Sequence, residues 1–448
     1  MQKILFSSLM MTGLLLVGCT GNRASSSLPS NPQVVTEPGT YPILKEEYSD
    51  IKLTLMGNSH ASLSPDWKNN EYFKRMKELT GLDFNFDIYD WTTYGEKFPL
   101  SFLDPSSMPD VYFKSFIPKA SESKYGSQGL LVPLEDLIDK YAPNLKARMA
   151  ETPNIERVIK SADGHIYSLP TIHEKGDKYV SDGVFWINKK WLDNLGLQLP
   201  HTMEELRVVL NEFKTKDANN NGNPNDEKPM YLSGALELTY LYSAFGLSML
   251  TWNSDVVDGV VKFGPEQENF KSMLKYLNGL YNDELLNRNY ITLAKNQVWA
   301  EGRSGDTIGV FFDATADLVV GSRATDYVAL PPLTSSIYNG PAFLSGRYAV
   351  DPGMFAISSN CKYPELAMRW IDTLYDLDYT KWGTIGKEGV EWKWDDDEQT
   401  SWSYLMDTDT ITNNRTVQMG GGLPGVMLSY EGFWDKLNDP VQKQSIAE

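Results

Sequence analysis

The sequence predicts an α/β protein of two lobes. Short alternating strand patterns are separated by amphipathic helical patterns at crossover spacing, and the alternation runs through most of the 448 residues. That is more βα units than one sheet commonly serves. "IKLTLMGN" at 51–58 alternates as a strand and runs into a polar loop, "NSHASLSPDWKNN". "EYFKRMKELTGL" has helical spacing, with Gly81 as its stop signal. "DFNFDIYDW" is a second strand and "MPDVYF" a short third. "PLEDLIDKYAPNLKARMA" and "TMEELRVVLNEFK" are amphipathic helices, the second opened by a capping box of Thr202 and Glu205. "ENFKSMLKYLNGLYND" and "YPELAMRWIDTLYD" continue the alternation. Trp186, Trp191 and Trp370 fall inside these patterns and are read as core.

The first residues carry an address. Lys3 precedes an apolar run from Ile4 to Val17, too short for a membrane span and suited to a secretory signal. Its end, Leu16-Val17-Gly18-Cys19, resembles the lipobox of bacterial lipoproteins. The resemblance implies a signal peptide over 1–18, acylation of Cys19, and a protein held by lipid on the extracellular face of the cell membrane. An ordinary signal with a chance cysteine is the alternative. Residues 19–45, rich in Ser, Pro, Gly and Asn, read as a flexible tether. The remaining cysteine, Cys361, then has no partner, so the mature chain is held together by its core and not by disulfides.

A net charge of -18 argues against nucleic acid and anionic lipid as partners, and weakly against a polyanionic ligand. Twelve Trp and 24 Tyr lean towards carbohydrate, because aromatic faces stack on the C–H surfaces of sugar rings; extra core packing is the alternative. The four histidines, His60, His165, His173 and His201, form no HExxH motif. No nucleophile elbow, phosphate-binding glycine loop or Cys-His pair occurs either. The chain is therefore read as a binding protein without redox or nucleotide cofactor, a glycosidase with two unmarked carboxylates being the enzyme alternative.

The strings "GLLVPLEDLIDKYAPNLKARM", "ADGHIYSLP", "FWINKKWLDNLGLQLPHTMEELRVVLNEFKTKD", "NGNPNDEKPM" and "FAISSNCKYPELAMRWIDTLYD" resemble, in order, the family 1 extracellular solute-binding proteins, on the branch of the LipO type and the alginate-binding proteins. The resemblance spans almost the whole mature chain. It implies a type II periplasmic-binding-protein-like fold whose discontinuous lobes are joined by hinge segments. Lobe 1 is expected over 46–170 and 340–380, and lobe 2 over 171–339 and 381–448. Crossings are expected near Ser168 to Ile172 and near Pro331 to Pro341. It further implies a monomeric subunit of an ABC importer that closes on an oligosaccharide and presents it to the permease subunits. A surface glycan-binding lipoprotein uncoupled from import, or a non-sugar solute, is the alternative.

"DANNNGNPNDE" spaces oxygen-bearing side chains as a calcium loop does. Asp217, Asn219 and Asn221 stand at positions 1, 3 and 5, with Gly222 at the turn, Asn223 offering its carbonyl and Asn225 at position 9. Position 12 is Lys228, and the acids Asp226 and Glu227 come earlier, so which of Asn225, Asp226 and Glu227 bind is left open. In the alginate-binding relatives an equivalent loop holds a structural Ca²⁺; a polar turn that ends the preceding helix is the alternative. For the ligand, loops at strand ends offer Asn58, His60, Trp91, Tyr94, Phe113, Trp252, Asp313, Arg347 and Trp392, each set against core packing or surface exposure.

Overall fold

The computed structural model describes residues 30–59, 66–152, 154–174, 183–247, 254–257, 259–341, 350–407, 410 and 427–438. Two sheets organise the chain. The first is six-stranded, in the order β14-β4-β11-β3-β1-β2. Its strands are β1 (Lys52–Ser59), β2 (Asp83–Asp90), β3 (Val111–Phe113), β4 (Leu169–His173), β11 (Val350–Ile357) and β14 (Leu428–Ser429). β1 pairs parallel with β2 and β3, β14 pairs parallel with β4, and β11 alone runs antiparallel, against β3 and β4. The second is four-stranded, β10-β5-β9-β6, built from β5 (Val184–Asn188), β6 (Lys228–Met230), β9 (Ile308–Asp313) and β10 (Tyr327–Ala329). Here β5 is the reversed strand and β6 pairs parallel with β9. A hairpin of β7 (Ser254–Val257) with β8 (Val260–Phe263) and one of β12 (Trp392–Trp394) with β13 (Trp402–Tyr404) stand apart from both sheets.

Each sheet has its own core. In the first, Leu53, Leu55, Val111, Phe113, Leu169, Phe355 and Ile357 face the helix Pro364–Thr373, every residue of which is buried. Trp370 sits edge-on to Phe84 and Phe113, with ring centroids 4.8 and 5.1 Å away. In the second, Ile187 and Val310 meet Leu206, Leu210 and Phe213 of the helix Met203–Thr215. Trp186, Trp191 and Trp370 are all buried, as their patterns indicate. Local signals act where the residues place them. Gly81 ends the helix Glu71–Thr80 at φ 75, a left-handed turn that glycine adopts without Cβ strain. Thr202 Oγ1 accepts from the Glu205 N–H at 3.1 Å while the Glu205 carboxylate accepts from the Thr202 N–H at 3.2 Å. The pattern over 133–150 is two helices, Glu135–Tyr141 and Pro143–Glu151, because Pro143 cannot continue the first.

Three boundaries differ from the expected ones. The tether expected up to residue 45 packs on the first core from residue 34 onward: Val34, Val35, Ile43 and Leu44 are buried, and the Ile43 N–H donates to the Thr80 carbonyl at 3.0 Å. The first crossing, expected at Ser168 to Ile172, comes after β4, because Leu169 to His173 form that strand of the first sheet. The segment from 381 onward, expected with lobe 2, attaches to the first sheet. Leu428 and Ser429 pair with Ile172 and His173, Trp382 packs on the first core, and Glu391 meets Arg75. Its own aromatic cluster of Trp392, Trp402 and Phe433 fixes the late segments to one another. Among the described residues no helix is long and apolar enough to cross a membrane.

Candidate functional site

Five of the six strands of the first sheet share a direction, so their carboxyl ends lie on one edge. In the second sheet β6, β9 and β10 end at the edge where β5 begins. Both crossings run between these edges: 174–183 joins the end of β4 to the start of β5, and 330–349 joins the end of β10 to the start of β11. The carboxyl ends of strands are where open α/β sheets hold ligands, since loops there converge without interrupting the ladder.

On the first edge, Asn58 and Ser59 end β1, both 1% exposed, and Asn58 Oδ1 has no hydrogen-bond partner among the described residues. Lys114 follows β3 in the left-handed region, φ 52, and its buried Nζ donates to Thr171 Oγ1 at 3.2 Å. His173 ends β4, 3% exposed, with Nε2 3.0 Å from Asp351 Oδ2 at the start of β11. The Gly432 N–H donates to Glu174 Oε2 at 2.8 Å, which brings the helix Glu431–Trp434 and the half-buried Tyr430 and Trp434 to the same edge.

The second edge centres on Asp313, the last residue of β9, 6% exposed. Its Oδ2 accepts from Trp299 Nε1 at 2.8 Å and lies 3.2 Å from Lys295 Nζ. Its carbonyl accepts from Trp186 Nε1 at 3.0 Å. Lys295 Nζ also lies 2.7 Å from Glu237 Oε1, and Ser233 binds both Glu237 oxygens, by its N–H at 2.8 Å and its hydroxyl at 2.9 Å. Burial pushes the Glu237 carboxyl above its usual range, and Lys295 opposes that shift. Tyr240 lies against Phe312 with centroids 4.2 Å apart. Half-buried Trp299 and Tyr240 beside fixed carboxylates give flat apolar faces next to hydrogen-bond acceptors, the composition that suits a sugar ring.

The candidates read from sequence divide. Asn58 and Asp313 stand at strand ends on these edges. Tyr94 does not face a loop: it is 4% exposed and stacks on Phe98 inside a cluster with Phe102, Tyr112 and Tyr125. Phe113 is fully buried against Trp67 and Trp370, because β3 is an interior strand covered on that face. Trp392 is 3% exposed, packed on Trp402 and Phe433 with its Nε1 donating to the Gly386 carbonyl. These three are packing residues. Trp91 opens the helix that follows β2, its side chain outside the described part, and Cys19, His60, Trp252 and Arg347 lie outside the described residues altogether. Lys295, Glu237, Trp299, Tyr240 and the His173–Asp351 pair escaped sequence reasoning. Glu237 and Lys295 are 58 residues apart and His173 and Asp351 178 apart, so no local motif announces them.

The 217–227 loop is wound on its own side chains. Asp217 Oδ1 accepts from the Asn221 N–H at 3.0 Å and Oδ2 from the Gly222 N–H at 2.8 Å, with Gly222 at φ 88. Asn219 Oδ1 accepts from the Asn221 N–H at 2.9 Å, and Asn221 Oδ1 from the Asn223 N–H at 2.7 Å. Asp226 receives the side-chain amides of Asn219 and Asn221 at 3.3 and 2.7 Å. Glu227 Oε1 accepts from the Ala218 N–H at 2.9 Å, while its buried Oε2 has no hydrogen-bond partner among the described residues and burial raises the carboxyl's pKa. Asn225 donates its N–H to Asn223 Oδ1 at 3.3 Å. Among the described residues no group of three or more His, Cys, Asp or Glu is placed to hold a metal.

Comparison with known proteins agrees with this architecture. The family described as bacterial extracellular solute-binding protein matches residues 64–381. The fructooligosaccharide ABC transporter substrate-binding protein FusA of Streptococcus pneumoniae is 30% identical over 381 residues, covering 81% of this chain and 68% of that one. The structure of S. pneumoniae FusA with kestose superposes with a TM-score of 0.73 at 27% identity, over 89% of this chain and 82% of that one. The alginate-binding protein AlgQ2, solved without calcium ion, superposes at 0.69 and 21% identity, over 90% and 83%. The match over most of the chain and the two-sheet architecture lead to one conclusion: the chain belongs to the bacterial extracellular solute-binding protein family, with the two-lobed fold of its members.

Proposed function

We propose that this chain is the lipid-anchored substrate-binding subunit of an ABC importer, acting outside the cell as a monomer, and that it captures an oligosaccharide between the facing strand ends of its two sheets. The observation that carries the reading is the pair of polar and aromatic strand-end clusters, one on each sheet, joined by both crossings. A ligand touching Asp313, Trp299 and Tyr240 on one side and the Asn58–His173 edge on the other favours a closed form over an open one, and permease subunits read the closed form. The similar FusA is a fructooligosaccharide-binding protein, which supports the sugar. No covalent step is needed. Titration calorimetry with a panel of oligosaccharides tests it: binding with no released product is expected, and hydrolysis, or silence towards every glycan, rejects it.

The 217–227 loop fits a calcium ion. Asp217, Asn219, Asn221, Asp226 and Glu227 would supply hard oxygens, Asn223 its carbonyl, and the partnerless, buried Glu227 Oε2 is a donor left for a cation. Asn225, whose N–H donates to Asn223 Oδ1 at 3.3 Å, stays at the rim. The similar FusA has been solved as an EF-hand mutant, with a TM-score of 0.74 and 26% identity to this chain, which supports a calcium loop. The ion would tie the end of the helix Met203–Thr215 to β6, away from the ligand edges, as a structural cofactor.

A further inference from the structure

The charge held at the strand ends bears on which oligosaccharide enters. Around Asp313 one ammonium group, Lys295, stands between two carboxylates, at 2.7 Å from Glu237 and 3.2 Å from Asp313. Neither acid is solvated freely, their side chains being 10% and 7% exposed, so their field is poorly screened towards anything placed on them. Lys295 is fully engaged, with its Nζ also donating to the Phe312 carbonyl at 2.5 Å.

We infer that this chain takes neutral oligosaccharides and rejects uronate-bearing ones, Asp313 and Glu237 being the residues that set the discrimination. The inference rests on the glycan-binding reading above and adds the substrate class to it. Sugar hydroxyls donate to both carboxylates, and the half-buried Trp299 and Tyr240 offer ring faces. A uronate carboxylate brought to the same place meets a like charge, and the ammonium described beside it, Lys295, is already shared by Glu237, Asp313 and the Phe312 carbonyl. At an effective dielectric near 20, one excess charge about 8 Å away shifts an equilibrium constant roughly thirtyfold.

The test is calorimetric titration of the purified protein with neutral oligosaccharides (fructo-, malto- and galacto-oligosaccharides) and with oligogalacturonate and oligoalginate, at 20 and 500 mM NaCl. At low salt the best neutral ligand is expected to bind at least tenfold tighter than either uronate. Asp313→Asn and, separately, Glu237→Gln are expected to narrow that gap at least threefold, by raising uronate affinity relative to neutral affinity. Melting curves identify a variant that fails to fold, and either substitution alone suffices. Uronate binding as tight as neutral binding in the wild type, or a gap that a folded variant leaves unchanged, overturns the inference. Absence of binding by glycans of both classes overturns the glycan reading itself, a separate outcome visible in the same titrations.

Discussion

Arg75 Nη2 donates to Glu391 Oε1 at 2.8 Å, joining residues 316 positions apart. Arg75 also holds Glu71 at 3.0 Å one helical turn away, and Glu391 receives the Lys387 N–H at 2.6 Å. The Glu391 side chain is 8% exposed, so this pair is largely desolvated. Removing Glu391 leaves the part-buried Arg75 with Glu71 alone and its Nη2 without that acceptor, which costs more than the pair itself contributes. Glu391→Ala is expected to destabilise the fold by about 2 kcal/mol and to release the 381–438 segment to limited proteolysis before the rest. Denaturant titration together with timed trypsin digestion checks it; an unchanged digestion pattern rejects the anchoring role.

Asp372 gives the fold a pH dependence of unusual sign. It lies on the buried helix Pro364–Thr373, and burial pushes its carboxyl up to about 6, although the N–H groups of Leu145 (2.8 Å) and Asn144 (3.3 Å) favour the ionised form. The folded value lies above the unfolded one, 3.8, so the native state holds the proton more tightly. The stabilisation from this group is fully present below about pH 4 and is lost as pH rises through about 6. Relative to Asp372→Asn, the wild type should gain roughly 2–3 kcal/mol on going from pH 7 to pH 4. Urea denaturation of both proteins at several pH values measures that difference, and parallel pH profiles would remove Asp372 as its source.

Gly183 governs how closely β5 can start beside the end of β9. A Cβ there would lie 2.6 Å from the Asp313 carbonyl carbon and 2.7 Å from its oxygen, both backbone atoms that cannot rotate away. Gly183→Ala must therefore displace one strand end, and with it the Asp313 carboxylate and its bonds to Trp299 and Lys295. The expected result is at least a tenfold loss of oligosaccharide affinity with a melting temperature lowered by a few degrees. Full affinity in the variant would place the ligand away from Asp313.

The α/β class and most helices were legible because they depend on local periodicity and on capping chemistry that neighbours in sequence supply, as with Thr202 and Glu205. Strand-end candidates were legible only where position alone decided, as at Asn58 and Asp313. Tyr94, Phe113 and Trp392 show why aromatic residues near strand ends mislead: a Trp or Tyr at a loop boundary and one turned into a neighbouring core read alike until the partner segment is known. For Trp392 that partner is Phe433, for Phe113 it is Trp370. The same distance in sequence hid the Lys295–Glu237 and His173–Asp351 pairs and the return of β14 to the first sheet.

The 217–227 loop makes the last prediction. Asp217 already turns both oxygens onto the N–H groups of Asn221 and Gly222, so the backbone is wound before any ion arrives, and Glu227 Oε2 waits buried without a hydrogen-bond partner. An ion bound there would bridge the end of the helix Met203–Thr215 to β6, whose Lys228 N–H donates to the Thr307 carbonyl beside β9 at 2.8 Å. Calcium at about 100 times its dissociation constant should add about 2.7 kcal/mol of stability. EGTA should lower the melting temperature and Ca²⁺, not Mg²⁺ at equal concentration, should restore it, because the larger ion accepts the loop's crowded oxygen set. Asp217→Asn and Glu227→Gln should each abolish the EGTA response. Glu227→Gln should also leave the calcium-free protein no less stable, since it removes a carboxyl whose ionised form burial disfavours. A wild-type melting temperature indifferent to EGTA would make the loop a polar turn closed by asparagine alone.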